Sequence, residues 1–137
     1  MIDRGDLSVE TNPESLSLFQ KRIIAVAREH GRPVIVATEM LHTMIANPFP
    51  TKAEISDITN AVLDGCAATM LSGETAIGDH PVEAVSVMRR VATVAEEFVQ
   101  SELDARPEQA RRSVPQAVGD AIAVAAEIAQ SLGAVTI

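Results

Sequence analysis

The chain has 137 residues, of which 47% are hydrophobic and 22% charged, with a formal net charge of −8. That length suits one modest domain or a piece of a larger one, and it is too short for a complete eight-stranded α/β barrel, which takes roughly 250 residues. The negative charge disfavours nucleic acid and anionic membrane surfaces as partners, and with Phe19, Phe49 and Phe98 as the only aromatics the core is expected to be aliphatic.

Met1 to Asp3 reads as the tail of a strand whose beginning is missing, because two apolar residues run straight into Arg4-Gly5-Asp6. From Pro13 to His30, Leu16, Phe19, Ile23, Val26 and Ala27 recur at helical spacing and predict one buried face, with Gly31 as the stop. Val34 to Ala37 is an unbroken apolar run, as expected of a parallel strand covered on both faces. Glu39 to Ala46 predicts a short turn of helix, with Met40, Leu41 and Met44 as core or interface residues. Asn47-Pro48-Phe49-Pro50 breaks the chain, and Thr51-Lys52-Ala53-Glu54 has the spacing of a capping box that opens a helix to about Leu63. Asp64-Gly65 closes that helix ahead of a strand from Ala67 to Leu71. The lone Cys66 rules out an internal disulfide, fits a reducing cytoplasm and, just before a buried strand, is expected to be inert.

Asp79-His80-Pro81 starts a further helix, whose stripe of Val85, Met88, Ala92, Ala95 and Phe98 runs to about Gln100. Residues 1–101 are therefore read as one domain and the charged, proline-containing stretch 102–115 as a linker. Residues 116–137 return to a helical stripe and then the strand-like Ala134-Val135-Thr136-Ile137, as if a second α/β domain begins there. No apolar run approaches the roughly 20 residues of a membrane span, and nothing at the N-terminus reads as a signal peptide.

Three segments share one layout, an apolar run emptying into a polar or glycine turn before a helix: Met1 to Leu7, Val34 to Leu41, and Ala68 to Thr75. Parallel strands alternating with helices bring such exits to one edge of the sheet, where ligands of α/β folds bind. At the first exit Gly5 permits close backbone approach, and Asp6 either holds a hard cation such as Mg²⁺ or caps a helix. Arg4 is then free to pair with Asp3 or Glu10. At the second, Thr38 either presents its hydroxyl to a small substrate or caps the helix at Glu39. At the third, Ser72-Gly73-Glu74-Thr75 is either a phosphate-facing loop or a plain strand-to-helix turn capped by Ser72. Asp57 and Asn60 are expected to bond adjacent loops, and His30, His42 and His80 lack the spacing of zinc ligands.

Taken in order, these segments resemble the second half of the catalytic barrel of pyruvate kinase. The resemblance is carried by Met1-Ile2-Asp3-Arg4-Gly5-Asp6-Leu7, Gln20 to Ile24, Arg32-Pro33-Val34 to Met44, Asn47-Pro48 with Pro50 to Glu54, Ser56-Asp57 with Asn60 to Gly65, Met70 to Thr75, and Pro81 to Val85. It implies an α/β fold: a partial (β/α)8 barrel of about the last three β/α units, then a linker and the first helix and strand of an α/β C-terminal domain. It implies the phosphoryl transfer of glycolysis, from phosphoenolpyruvate to ADP with pyruvate and ATP as products. Asp6 would be one of two carboxylates on Mg²⁺, with Mn²⁺ as a substitute, and the Gly5 and Asp6 N–H groups would receive the substrate carboxylate. Thr38 would stand near the carbon that is protonated. Ser72 and Glu74 would support the proton relay or the loop geometry at the same mouth, and Arg4 would structure its loop. The family's K⁺ ligands, its phosphate-contacting cations and the second Mg²⁺ carboxylate all precede the segment matching Met1, so the chain alone is expected to be inactive. A homo-oligomer or a complementary N-terminal half would complete it. Asp3, Ser8, Glu39 and Ile77 stand where the family usually has Ala, Gly, Gln and Lys. The added carboxylates leave a non-catalytic interaction module, or a paralogue with another phosphoenolpyruvate or pyruvate substrate, as alternatives.

Overall fold

The computed structural model describes residues 1–105, and the expectations for 106–137 lie outside the described residues. Three short strands, β1 (Ile2–Asp3), β2 (Ile35–Ala37) and β3 (Ala68–Met70), form a parallel sheet in that order. Ile2 pairs with Val36 and Asp3 with Ala37, while Ala37 pairs with Met70, so the three carboxyl ends stand level at one edge. The helices are α1 (Arg4–Glu10), α2 (Leu16–Glu29), α3 (Lys52–Asp64), α4 (Gly73–Ala76) and α5 (Pro81–Ala105), with short 3-10 turns at Pro13–Ser15 and His42–Ile45. No helix among the described residues is long and apolar enough to cross a membrane.

The core is aliphatic, as the composition requires. Ile2 and Val36 on the helix-bearing face of the sheet meet Ile24 of α2, Ile58 and Ala61 of α3, and Ala84, Val87 and Met88 of α5. Removing a side chain such as Ile24 or Ile58 wholly from water contributes about 1.5–3 kcal/mol, and no phenylalanine shares in this, since all three are exposed. Met40, Leu41 and Met44 are fully buried in the same cluster, in agreement with their expected role. Their segment forms a bend followed by the 3-10 turn rather than a turn of α-helix.

The capping box at the start of α3 forms as its spacing predicts. The Glu54 N–H donates to Thr51 Oγ1 at 3.2 Å, and the Thr51 N–H donates to Glu54 Oε2 at 2.7 Å. At the other end Gly65 takes φ +89°, a left-handed conformation that favours glycine; a Cβ there would displace only the exposed Arg28 side chain, 2.5 Å away. Lys21 and Asp64, 2.5 Å apart, tie α2 to the same helix end.

Three expectations fail. On α2 the buried residues are Gln20 and Ile24, while Phe19, Ile23 and Val26 line an open groove, because the sheet meets the helix one position away from the richest apolar stripe. On α5 the buried stripe is Ala84, Val87, Met88 and Ala95, with Val85 and Phe98 exposed, and the helix continues five residues past Gln100. Finally, β2 is not covered on both faces: Val36 is fully buried, but Ile35 is 39% exposed and its register partner Ala68 is also exposed. The described helices pack on the Val36 face of the sheet; on the opposite face Ile35 and Ala68 are exposed while Ala37 is buried.

Candidate functional site at the strand ends

Each strand delivers its chain into a different device at the common edge. After β1 the chain enters α1 at once, and Asp3 is the cap: its Oδ1 accepts the Gly5 N–H at 3.0 Å and the Asp6 N–H at 3.3 Å. The cap is therefore Asp3, not Asp6. The absence of a side chain on Gly5 matters here, since a Cβ would sit 3.3 Å from Asp3 Oδ1. Asp6 is left exposed at the edge, and no hydrogen bond or ion pair engages its carboxylate among the described residues. Asp3, Asp6 and Glu10 line one recess of about 370 Å³.

After β2, Thr38 and Glu39 both take left-handed backbone, with φ +69° and +56°. Such a conformation costs about 1–3 kcal/mol per non-glycine residue, and most for a β-branched one such as threonine. Arg4 offsets it. Its Nε and Nη2 donate to the Thr38 carbonyl at 3.0 and 2.8 Å, and Nη2 donates to the Glu39 carbonyl at 2.7 Å. Hydrogen bonds to a charged group contribute about 1.5–3 kcal/mol each, enough in sum to hold both residues. The guanidinium is buried, and Nη1 reaches Asp57 Oδ2 on α3 at 2.5 Å. Arg4 thus pairs with Asp57, not with Asp3 or Glu10, because its side chain runs under the turn rather than along α1.

The Thr38 hydroxyl does not cap the following segment. It accepts the Arg4 and Gly5 N–H groups, each at 3.1 Å, and donates to Asp3 Oδ1 at 3.2 Å. Both lone pairs and the proton are committed, so the hydroxyl welds the first exit to the second.

After β3, Glu74 is almost wholly buried and shares its carboxylate between two exits. Oε1 accepts the Leu41 N–H and Oε2 the Ser72 N–H, both at 2.9 Å. Ser72 occupies the cap position of α4, yet its side chain makes no cap bond there; Glu74 holds the turn instead. Farther out, Glu54 Oε1 accepts the Thr43 N–H at 2.7 Å. Burial opposes ionisation of Glu54, but the Thr43 and Thr51 donors outweigh it and hold its carboxyl below the ordinary glutamate range. Burial, with the Asp64 carboxylate adding to it, pushes the Cys66 thiol up, which fits the inert role expected of it.

The edge therefore brings together Arg4, Gly5, Asp6, Thr38, Ser72 and Glu74, the residues singled out in the sequence. Asp3 and Asp57 join the network in roles other than those expected: Asp3 caps α1 instead of pairing with Arg4, and Asp57 bonds Arg4 of α1 instead of an adjacent loop. Asp3 was legible, since it stands two and three residues before the amides it caps. Asp57 was not, because nothing local links it to an arginine 53 positions away. Among the described residues no group of three or more His, Cys, Asp or Glu is placed to hold a metal ion. An exposed carboxylate oxygen such as that of Asp6 suits one position on a hard cation, which commonly takes one or two protein carboxylates and fills the rest with water and substrate oxygens.

Fold and edge define an α/β protein whose parallel strands bring polar groups to the side where such folds bind ligands. Comparison with known proteins makes this specific: residues 1–85 match the family model described as pyruvate kinase, barrel domain. Pyruvate kinase 2 of Synechocystis sp. is 46% identical over 138 residues, covering 100% of this chain and 22% of that protein. Pyruvate kinase of Mycobacterium tuberculosis is 56% identical over 97 residues, covering 71% of this chain and 21% of its own length. A crystal structure of a pyruvate kinase from Cryptosporidium parvum superposes with a TM-score of 0.70 at 49% identity, over 71% of this chain and 20% of that one. The chain belongs to the pyruvate kinase family, and it spans about a fifth of the length of these relatives.

Proposed function

We propose that this chain supplies part of the phosphoenolpyruvate site of a pyruvate kinase, which passes the phosphoryl group of phosphoenolpyruvate to ADP. The observation that carries the reading is the level alignment of three strand ends, which puts the Asp6 carboxylate, the Thr38 hydroxyl and the Ser72–Glu74 turn on one edge and bonds the three exits to each other. The exposure of Ile35 and Ala68 on the face away from the helices fits a surface that about three units of a (β/α)8 barrel would turn toward its interior. Homologues named pyruvate kinase support the enzymatic class.

In this reading Asp6 offers one oxygen to Mg²⁺ or Mn²⁺, and K⁺ is held by residues that this chain does not carry. The divalent ion, when bound, neutralises negative charge developing on the substrate as the phosphoryl group leaves. The Gly5 and Asp6 N–H groups receive the substrate carboxylate, for which they must first be released by Asp3, and Gly5 by the Thr38 hydroxyl as well. Thr38 faces the carbon that is protonated. Arg4 keeps the Thr38 turn in place, and Glu74 fixes Ser72 beside it. The active species is completed by a complementary half or by oligomerisation, and a cytoplasmic setting is in keeping with the unpaired Cys66.

A second reading is favoured by one observation: Asp3 already engages the two amides that a substrate carboxylate needs. A non-catalytic module on the same scaffold would keep that arrangement permanently. The test combines this chain with the N-terminal remainder of the barrel taken from the Mycobacterium tuberculosis relative and follows pyruvate formation in a coupled assay. Activity that is lost in Asp6→Ala supports the enzyme. No pyruvate from a well-folded pair supports the module.

A further inference from the structure

We infer that Asp57, on α3 and away from the edge, is a positioning residue for Thr38, acting through Arg4. The inference rests on the reading of Thr38 as a group that faces substrate, and it adds a residue to which no role in that site has been given.

Two consecutive non-glycine residues with positive φ are held only where surrounding groups over-determine them. The left-handed turn directs the carbonyls of Thr38 and Glu39 to one guanidinium, whose Nε and Nη2 bond both of them. A planar fork can do this only in one orientation, and the remaining nitrogen, Nη1, has Asp57 as its partner. Because the guanidinium is buried, its charge needs a counter-charge, and Asp57 is the acidic side chain that meets it. The same arginine grips Thr38 at both ends, since its backbone N–H donates to the Thr38 hydroxyl while its side chain holds the Thr38 carbonyl. Asp57 therefore sets the orientation of the fork, the fork sets the backbone, and the backbone sets where the hydroxyl points. Release of the fork returns Thr38 and Glu39 toward negative φ and takes the hydroxyl off the Arg4 and Gly5 amides.

The test is nuclear magnetic resonance on the whole chain. A residue with positive φ brings its amide proton close to its own α-proton, so Thr38 and Glu39 each give a strong intraresidue cross-peak. In Asp57→Asn we expect those two signatures to be lost while the backbone signals of Gly65, the cap at the end of the same helix, stay unchanged. Adding Glu39→Gly to Asp57→Asn is expected to restore the Thr38 signature, because glycine takes positive φ without steric cost and residue 39 no longer needs to be held. A merely structural aspartate on α3 would not be rescued by a glycine that does not touch it. A folded Asp57→Asn protein with both signatures intact would overturn the inference. If Asp57→Asn does not fold, the double variant decides: recovery of folding supports it, and a double variant that stays unfolded while Glu39→Gly alone folds overturns it. Oxalate and Mg²⁺ added to the same wild-type sample, mixed with the N-terminal remainder of the barrel, address the functional reading separately. Absence of any shift at Asp6 and Thr38 would defeat that reading and leave the positioning result standing.

Discussion

The turns that follow β2 and β3 lie side by side at one edge, yet they are restrained from opposite directions. After β2, Thr38 and Glu39 occupy a costly backbone conformation, and the restraint is imported: Arg4 arrives from 34 residues away and Asp57 anchors it from behind. In the turn after β3 no described residue has positive φ, and the restraint is home-made, since Glu74 folds back onto the Ser72 N–H of its own turn. Glu74 also reaches across to Leu41, so the unstrained turn lends a bond to the segment that follows the strained one. A turn that is cheap in backbone terms can hold itself with a local carboxylate. A turn that is strained needs a multidentate cation, and that cation in turn needs a distant counter-charge.

The contrast is broken most severely at Arg4. Arg4→Ala removes three bonds from the strained turn and strands the Asp57 carboxylate, and is expected to cost about 3 kcal/mol, read as a fall in the urea midpoint of the chain. Glu74→Gln comes next, because an amide keeps one oxygen and turns its NH2 toward the other backbone donor. The loss of one buried acceptor is expected to lower stability by about 2 kcal/mol in the same titration, without disturbing the Thr38 and Glu39 signatures.

Asp3→Ala sharpens the comparison at the first exit. It removes a helix cap, for about 1 kcal/mol in thermal melting, frees the Asp6 amide and the Thr38 proton, and leaves the Gly5 amide on Thr38 Oγ1 alone. Oxalate is expected to bind the reconstituted barrel more tightly in this variant than in the parent chain, as isothermal titration would show; equal or weaker binding would mean that Asp3 does not compete.

The smallest effect is the pH dependence carried by Glu54. Its folded carboxyl lies below the ordinary range, so its contribution to stability is fully present above the unfolded value and is lost as pH falls through the folded one. Denaturation midpoints should therefore decline in that acidic window, and the decline should be shallower in Glu54→Gln, which cannot titrate. Because Glu54 holds the Thr43 N–H, the 3-10 turn after β2 should loosen first, ahead of the turn after β3.

How legible these features were depended on how far apart in the chain their causes lie. The Thr51–Glu54 capping box, the glycine stop at Gly65, the three strand runs and the buried Met40, Leu41 and Met44 were all written in spacings of a few residues. The burial of Gln20 on α2 in place of Phe19 was not, because several faces of that helix are apolar and only the angle at which the sheet meets it selects one.

By itself, then, the sequence determined the order of the three strands and of the helices between them, the caps of α3, that the core is aliphatic, and that three polar exits share one end of a parallel sheet. Periodicity, caps and glycine act over short stretches, and no partner from elsewhere is needed to set them. Only the tertiary structure decided that Thr38 and Glu39 turn left-handed, that the Thr38 hydroxyl takes the Arg4 and Gly5 amides, and that Arg4 answers to Asp57. Those choices are made between groups 33 to 53 positions apart, whose meeting depends on the packing of helices against the sheet and not on any property of the residues between them.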